Sequence, residues 1–342
     1  MNNFFKVVFF FLVSTLIVSC SKNDSNSTTP KRDYAEQFAT DLANTEEFLQ
    51  THYMVVTDNP GATDDQNVTF VEIPEGGTQT SVWNQTDYPL QTHYVAQDDI
   101  TYKIYYIQLR QGTGSNSKSP CNVDRVLASY NGRYIYTKKE TVNEVEVEKI
   151  SFEQFEESIT PESYFTLSSV IKGWSEIFPK FKTGSYSANP DGTLSYSNFG
   201  AGVMFIPSGL AYYNASSGII PAYSPLIFSF KLYEIQRVDN DNDGVPSYLE
   251  DISTSIVNPD GTLTTINGVS DGYLRVLEEG IVNPDDTDGD ETPDFLDIDD
   301  DGDFFTTASE INNLLTDDPY PFDDIPLCSD GKKRHVSNVC HH

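Results

Sequence analysis

Val170-Ile171-Lys172-Gly173-Trp174-Ser175-Glu176-Ile177-Phe178 is the stretch on which the fold of this chain turns. Together with Phe181, the residues Val170, Trp174, Ile177 and Phe178 recur at offsets of 0, 4, 7, 8 and 11, which puts them on one face of a helix. The spacing predicts a single short helix that ends near Pro179, whose ring and missing N–H stop it. On either side the pattern changes to short aromatic and β-branched runs: Asn67 to Ile73, Ile100 to Leu109, Val126 to Tyr130, Tyr134 to Thr137, Val203 to Ile206 and Leu226 to Ile235. Such runs read as strands. Many strands around one short helix predict an α+β domain, an antiparallel curved sheet wrapped on that helix. A further amphipathic helix is expected over Tyr34 to Tyr53, where Ala35, Phe38, Leu42, Phe48 and Leu49 fall among charged residues at roughly helical spacing.

The helix stretch is part of an ordered set. Val170-Ile171-Lys172-Gly173-Trp174 resembles the Val-Ile-x-Gly-Trp helix start of the FKBP family of peptidyl-prolyl cis-trans isomerases. Ile206-Pro207-Ser208-Gly209-Leu210-Ala211-Tyr212 is similar to that family's Ile-Pro-x-x-Leu-Ala-Tyr turn. Gly218-Ile219-Ile220-Pro221, then Ser224-Pro225-Leu226-Ile227-Phe228, resemble its flap and last strand, in the same order. Upstream, Val126-Leu127-Ala128-Ser129-Tyr130 looks like the strand that carries the pocket tyrosine, and Phe155-Glu156-Glu157-Ser158 looks like Phe-Asp-Ser-Ser with Glu156 in place of Asp. The resemblance implies a prolyl isomerase pocket with Trp174 as floor and Tyr130, Phe155, Val170, Ile171 and Phe228 as walls. It further implies that Tyr212 donates to a substrate carbonyl and that Glu156 forms the polar wall. The implied chemistry needs no cofactor, nucleophile or metal, and the implied partners are proline-containing polypeptide clients. The chain departs from the family at Tyr213, where glycine is usual, in a Ser185 to Ala201 insertion with an Asn189-Pro190-Asp191-Gly192 turn signal, and in a longer 133–150 segment. These departures are expected beside the pocket.

Acids outnumber bases 52 to 21, for a net charge of −31, and half of the acids lie beyond Gln236. That balance argues against nucleic acid as a partner. Asp239-Asn240-Asp241-Asn242-Asp243-Gly244, five residues and then Glu250 match the calcium-loop pattern, in which oxygens at positions 1, 3, 5 and 12 surround a hard cation and glycine makes the turn. Asp286, Asp288, Asp290 with Asp297, and Asp299, Asp301, Asp303 with Glu310, share the spacing. These two loops carry Glu291 and Phe304 where glycine belongs, so they are expected to be distorted or weaker. The same region resembles thrombospondin type-3 calcium repeats, which implies a structural role for Ca2+.

At the N-terminal end a single cation, Lys6, precedes a nearly unbroken apolar run to Ile17-Val18-Ser19-Cys20. The run has signal-peptide length and is too short for a spanning helix. Because Ile17-Val18-Ser19-Cys20 resembles a lipobox, Cys20 is expected to be lipidated, which would make the chain a membrane-anchored lipoprotein at a periplasmic or outer-membrane surface; an ordinary secretory signal is the alternative. In such an oxidising compartment Cys328 and Cys340 could close a small loop, leaving Cys121 as a lone thiol.

The expected organisation is a signal peptide (1–19), a lipidated tether (20–33), an N-terminal extension with the amphipathic helix (34–95), an isomerase-like domain (96–236), acidic calcium-binding loops (237–310) and a tail (311–342). The expected function is prolyl isomerisation that assists folding of exported proteins. Two alternatives stay open: a non-catalytic module that grips proline-containing segments, and a calcium-dependent surface interaction protein.

Overall fold

Leu226-Ile227-Phe228-Ser229-Phe230-Lys231-Leu232 alternates along an extended backbone, so Phe228, Phe230 and Leu232 face one way while Ile227 faces the other. Both faces need cover, and both receive it. The computed structural model describes residues 30–142, 144–250, 253–257, 263–267 and 285–341; the expected signal peptide, Cys20 and the first part of the expected tether lie outside the described residues. Asp33–His342 form one compact unit.

The main sheet is antiparallel throughout. It contains β3 (Leu90–Gln97), β4 (Ile100–Arg110), β5 (Arg125–Val142), β6 (Val145–Ser158), β10 (Gly200–Ile206) and β11 (Leu226–Gln236), in the order β3-β4-β10-β11-β5-β6, with the two-residue β7 (Phe165–Thr166) paired to β5. Among the described residues four strand pairs stand outside it: β1 (His52–Val56) with β2 (Val68–Glu72), β8 (Ser185–Ala188) with β9 (Leu194–Ser197), β12 (Ser253–Val257) with β13 (Leu263–Asn267), and β14 (Asn312–Asn313) with β15 (Asp318–Pro319). Strand β3 runs across the boundary drawn at 95/96 from the sequence, and the two runs read at 126–130 and 134–137 are one long strand.

Helix α1 spans Tyr34–Thr51 and is capped by Asp33, whose carboxylate accepts from the Glu36 amide. Its most buried line is Gln37, Asp41, Thr45, Phe48 and Leu49, while the expected core residue Ala35 is exposed. Phe48 and Leu49 join Val68 and Phe70 of the β1–β2 hairpin over the sheet face that carries Ile107, Val203, Phe205 and Ile227. A second, shorter helix covers the opposite face.

Helix α2 spans Lys172–Ile177, so Val170 and Ile171 precede it instead of opening it, and Pro179 sits in a following 3-10 turn, Phe178–Lys180. That turn places a residue without an N–H where no helical bond is required. Trp174, Ile177, Phe178 and Phe181 are all buried against Met204, Ile206, Phe228 and Phe230. Close approach depends on Gly173, because a Cβ there would lie 2.5 Å from Ile206 Cγ2. Buried Glu176 ties the helix to the sheet edge, with His93 Nε2 at 2.8 Å and Lys172 Nζ at 3.1 Å. Among the described residues no helix is long and apolar enough to cross a membrane.

Candidate functional site

A cavity of about 390 Å3 opens between α2, β5, β6, β11 and the turn after β10, lined by Tyr130, Phe155, Glu156, Phe165, Ser169, Val170, Ile171, Trp174, Tyr212 and Phe228. The eight residues named from the sequence therefore meet at one place. Trp174 is buried, and three rings stand edge-on to it: Tyr130 at 5.0 Å and 80°, Phe228 at 5.2 Å and 89°, and Phe165 at 5.4 Å and 75°. Edge-to-face packing satisfies the ring quadrupoles and fixes each ring's orientation. Phe165 was missed in the sequence because its strand is only two residues long.

Consecutive strand residues normally point to opposite faces, yet Phe155 and Glu156 both line the cavity. The register explains it. Gly132 pairs with Glu156 and Arg133 with Gln154, so Phe155 is the extra residue of a β-bulge. Gly132 is required opposite, since a Cβ there would lie 2.5 Å from Phe155 and 2.9 Å from Phe228. Burial and a hydrogen bond to the Glu156 carboxylate push the Tyr130 hydroxyl well above its ordinary range, so it remains a protonated donor.

Tyr212 stands at the rim, about one third exposed. Its turn is held from the far side by α1. Asp41, 1% exposed, accepts from the Ser208 amide at 2.7 Å and from Gln37 Nε2 at 2.6 Å. Gln37 Nε2 also reaches the Tyr223 carbonyl at 3.4 Å, so both Gln37 and Asp41 are buried with partners. Tyr213, in the place of the family's glycine, takes φ +48°, a conformation that costs a non-glycine residue roughly 1–2 kcal/mol. Stacking on Tyr34 of α1 (4.5 Å, 20°) and an edge contact with Tyr223 offset that cost. The Ser185 to Ala201 insertion instead forms the β8–β9 hairpin and contributes no lining residue to the cavity.

In the acidic region, Asp239/Asp241/Asp243, Asp286/Asp288/Asp290 and Asp299/Asp301/Asp303 each bring three carboxylate oxygens within 4.8 Å. The expected distortion of the second and third loops is absent. Glu291 and Phe304 take φ +79° and +75°, as Gly244 takes +102°, and each donates its amide to the first aspartate of its loop at 3.0–3.1 Å. A left-handed sixth residue is thus retained without glycine. The twelfth-position residues Asp297 and Glu310 stand outside the tight groups but interact with their aspartates, and neither Glu310 oxygen has a hydrogen-bond donor although the residue is fully buried. Glu250 departs further. It meets Asp243 and Asp300, a residue the spacing pattern did not single out. Burial first, and then neighbouring carboxylates, push Glu250 up to about 11 and Asp300 to about 10. Orphaned buried carboxylates of this kind fit hard divalent cations.

This region docks on the sheet domain. Phe295 packs with Cys121, Val123 and Tyr248, and Arg237 pairs with buried Asp124 at the entry to β5. Burial pushes the Cys121 thiol up, which removes it as a nucleophile. Cys328 and Cys340 form a disulfide with Cα atoms 5.7 Å apart.

A family model described as BamM C-terminal matches residues 240–335. No curated protein matches the chain. Among solved structures, a peptidyl-prolyl cis-trans isomerase from Pseudomonas syringae pv. tomato is 24% identical over 43% of this chain and 81% of its own, with a TM-score of 0.28. FkpA from Escherichia coli is 24% identical over 39% of this chain and 48% of its own, with a TM-score of 0.27. The three FKBP domains of wheat FKBP73 are 18% identical over 44% of this chain and 51% of that one, also at 0.27.

Proposed function

We propose that the chain is an FKBP-type peptidyl-prolyl cis-trans isomerase whose acidic C-terminal region is held together by Ca2+. The observation that carries this reading is the single aromatic cavity that gathers Trp174, Tyr130, Phe155, Phe228, Val170, Ile171, Glu156 and Tyr212. Rotation about an Xaa-Pro bond is opposed by the partial double-bond character of the amide, a barrier of about 18–20 kcal/mol, and takes roughly tens to hundreds of seconds unaided. No bond is made or broken. Twisting the amide removes resonance and charge separation, so a dry aromatic site that grips the proline ring favours the twisted form over the planar one. Trp174 and Phe228 form the buried floor, Phe155, Val170 and Ile171 enclose the ring, and the Tyr212 hydroxyl at the rim orients the substrate carbonyl. The Tyr130 hydrogen bond occupies Glu156, so the carboxylate bounds the site without facing the amide unscreened.

Asp239, Asp241, Asp243, Asp286, Asp288, Asp290, Asp299, Asp301, Asp303 and Glu310 supply the oxygens for structural calcium. The clients are proline-containing polypeptides outside the reducing cytoplasm, a setting with which the Cys328–Cys340 disulfide agrees. Attachment through lipid on Cys20 to a membrane surface completes the reading, and it predicts that Cys20→Ser moves the protein from the membrane to the soluble fraction.

The deciding assay is the cis-to-trans rate of a short Xaa-Pro peptide with the full chain, with Ca2+ and with chelator. Acceleration that disappears in Trp174→Ala and Tyr212→Phe supports the isomerase. Peptide binding without any acceleration would replace it with a non-catalytic binding module.

A further inference from the structure

We propose a fourth cation site, formed by Asp243, Glu250 and Asp300, in which one Ca2+ cross-links the first acidic loop to the third. The inference deepens the calcium reading and rests on it, since Asp243 and Glu250 belong to the first loop.

The three carboxylates bring oxygens within 4.8 Å of one another, and the residues are 3%, 4% and 1% exposed. Both oxygens of Glu250, both of Asp300 and Oδ2 of Asp243 have no hydrogen-bond partner; Asp243 Oδ1 accepts from the Val245 amide at 2.7 Å. Each of the three residues therefore turns an oxygen into one buried space, and both oxygens of Glu250 lack a donor. Like charges this close and this dry repel strongly unless a counter-charge lies among them. No Lys, Arg or His ion pair reaches any of the three among the described residues. Hard oxygens alone, with two carboxylates able to bind through both atoms, suit the six to eight ligands that Ca2+ takes at about 2.3–2.6 Å, with waters completing the shell. They are a poor set for zinc, which draws on Cys and His.

Placement gives the site its consequence. Asp243 also belongs to the Asp239/Asp241/Asp243 group, so its carboxylate bridges two neighbouring ions. Asp300 is fixed from behind by its own amide, which donates to the hydroxyl of fully buried Thr307 at 3.3 Å. On the other side, Asn240 Nδ2 reaches the Val123 carbonyl at 3.4 Å, and Tyr248 packs with Val123 and Phe295. One ion at this point fastens loops distant in sequence to each other and to the segment that enters β5.

Two measurements on the full chain test the proposal. Calcium stoichiometry is measured by equilibrium dialysis for wild type, Asp300→Asn and Asp286→Asn. Asp300→Asn is expected to lose one ion and to keep the second-loop ion that Asp286→Asn loses. In wild type, amide exchange protection of 239–250 and of 299–303 is expected to rise at least tenfold at one shared calcium midpoint. Unchanged stoichiometry in Asp300→Asn, or separate midpoints for the two loops, would overturn the cross-link and leave the loop sites standing. Absence of calcium binding in wild type would overturn both. The exchange measurement needs no variant, so a misfolded Asp300→Asn does not leave the question open.

Discussion

Asp41→Ala removes the residue through which α1 holds the turn that carries Tyr212. The wild-type carboxylate accepts from the Ser208 amide at 2.7 Å and from Gln37 Nε2 at 2.6 Å, and it is 1% exposed. A hydrogen bond to a charged group contributes about 1.5–3 kcal/mol, and a buried donor left without an acceptor costs about 1–3 kcal/mol. Some relaxation of Gln37 toward the Tyr223 carbonyl recovers part of this, so the expected loss is about 3 kcal/mol. For a unit of this size that lowers Tm by roughly 5 °C. Asp41→Asn keeps an acceptor oxygen for Ser208 and is expected to cost only about 1 kcal/mol. Urea unfolding followed by tryptophan fluorescence gives both values. Peptide isomerisation should fall further in Asp41→Ala than in Asp41→Asn, because Tyr212 lies on the released turn. If Asp41→Ala unfolds within about 0.5 kcal/mol of wild type, the range of an ordinary surface substitution, α1 does not anchor the turn.

Gly173→Ala places a methyl group 2.5 Å from Ile206 Cγ2 and is expected to cost about 1–3 kcal/mol in denaturant unfolding while displacing Trp174. Phe304→Gly removes a 94% exposed ring from a backbone held at φ +75°. Relief of roughly 1–2 kcal/mol less the extra chain entropy of glycine leaves a gain of about 0.5–1 kcal/mol, visible as a higher Tm in calcium. His335 is held down to about 4 by burial, then by Lys333. The unfolded chain therefore takes up a proton first, near 6.5, so this contribution is present above 6.5 and is lost as pH falls toward 4. An NMR titration should show no His335 protonation above pH 5 in the folded protein, and a midpoint near 6.5 would contradict its burial.

The helix face was legible because Trp174, Ile177, Phe178 and Phe181 keep a 3.6-residue period and all end buried against the sheet. Its start was misplaced by two residues, since Val170 and Ile171 extend the same apolar face from non-helical backbone. The cavity residues were legible through ordered motifs; how Phe155 and Glu156 come to line it together was not, because a bulge is a property of strand pairing. The burial of Gln37 and Asp41 was not legible, because their partners, the Tyr223 carbonyl and the Ser208 amide, come from segments distant in sequence. Asp300 escaped the loop pattern for a similar reason. It stands at position 2 of its own loop, where no ligand is expected, and meets carboxylates far away in sequence.

The Tyr34–Tyr213 stack has a mechanical consequence. Tyr34 opens the first helix of the compact unit, and its ring rests on the residue beside Tyr212. Tension arriving along the segment before Asp33 would therefore load the lip of the aromatic cavity before it loaded Phe48 and Leu49, about four turns farther along the same helix. Whatever tugs on the N-terminal side of this protein pulls first on the edge of its aromatic cavity.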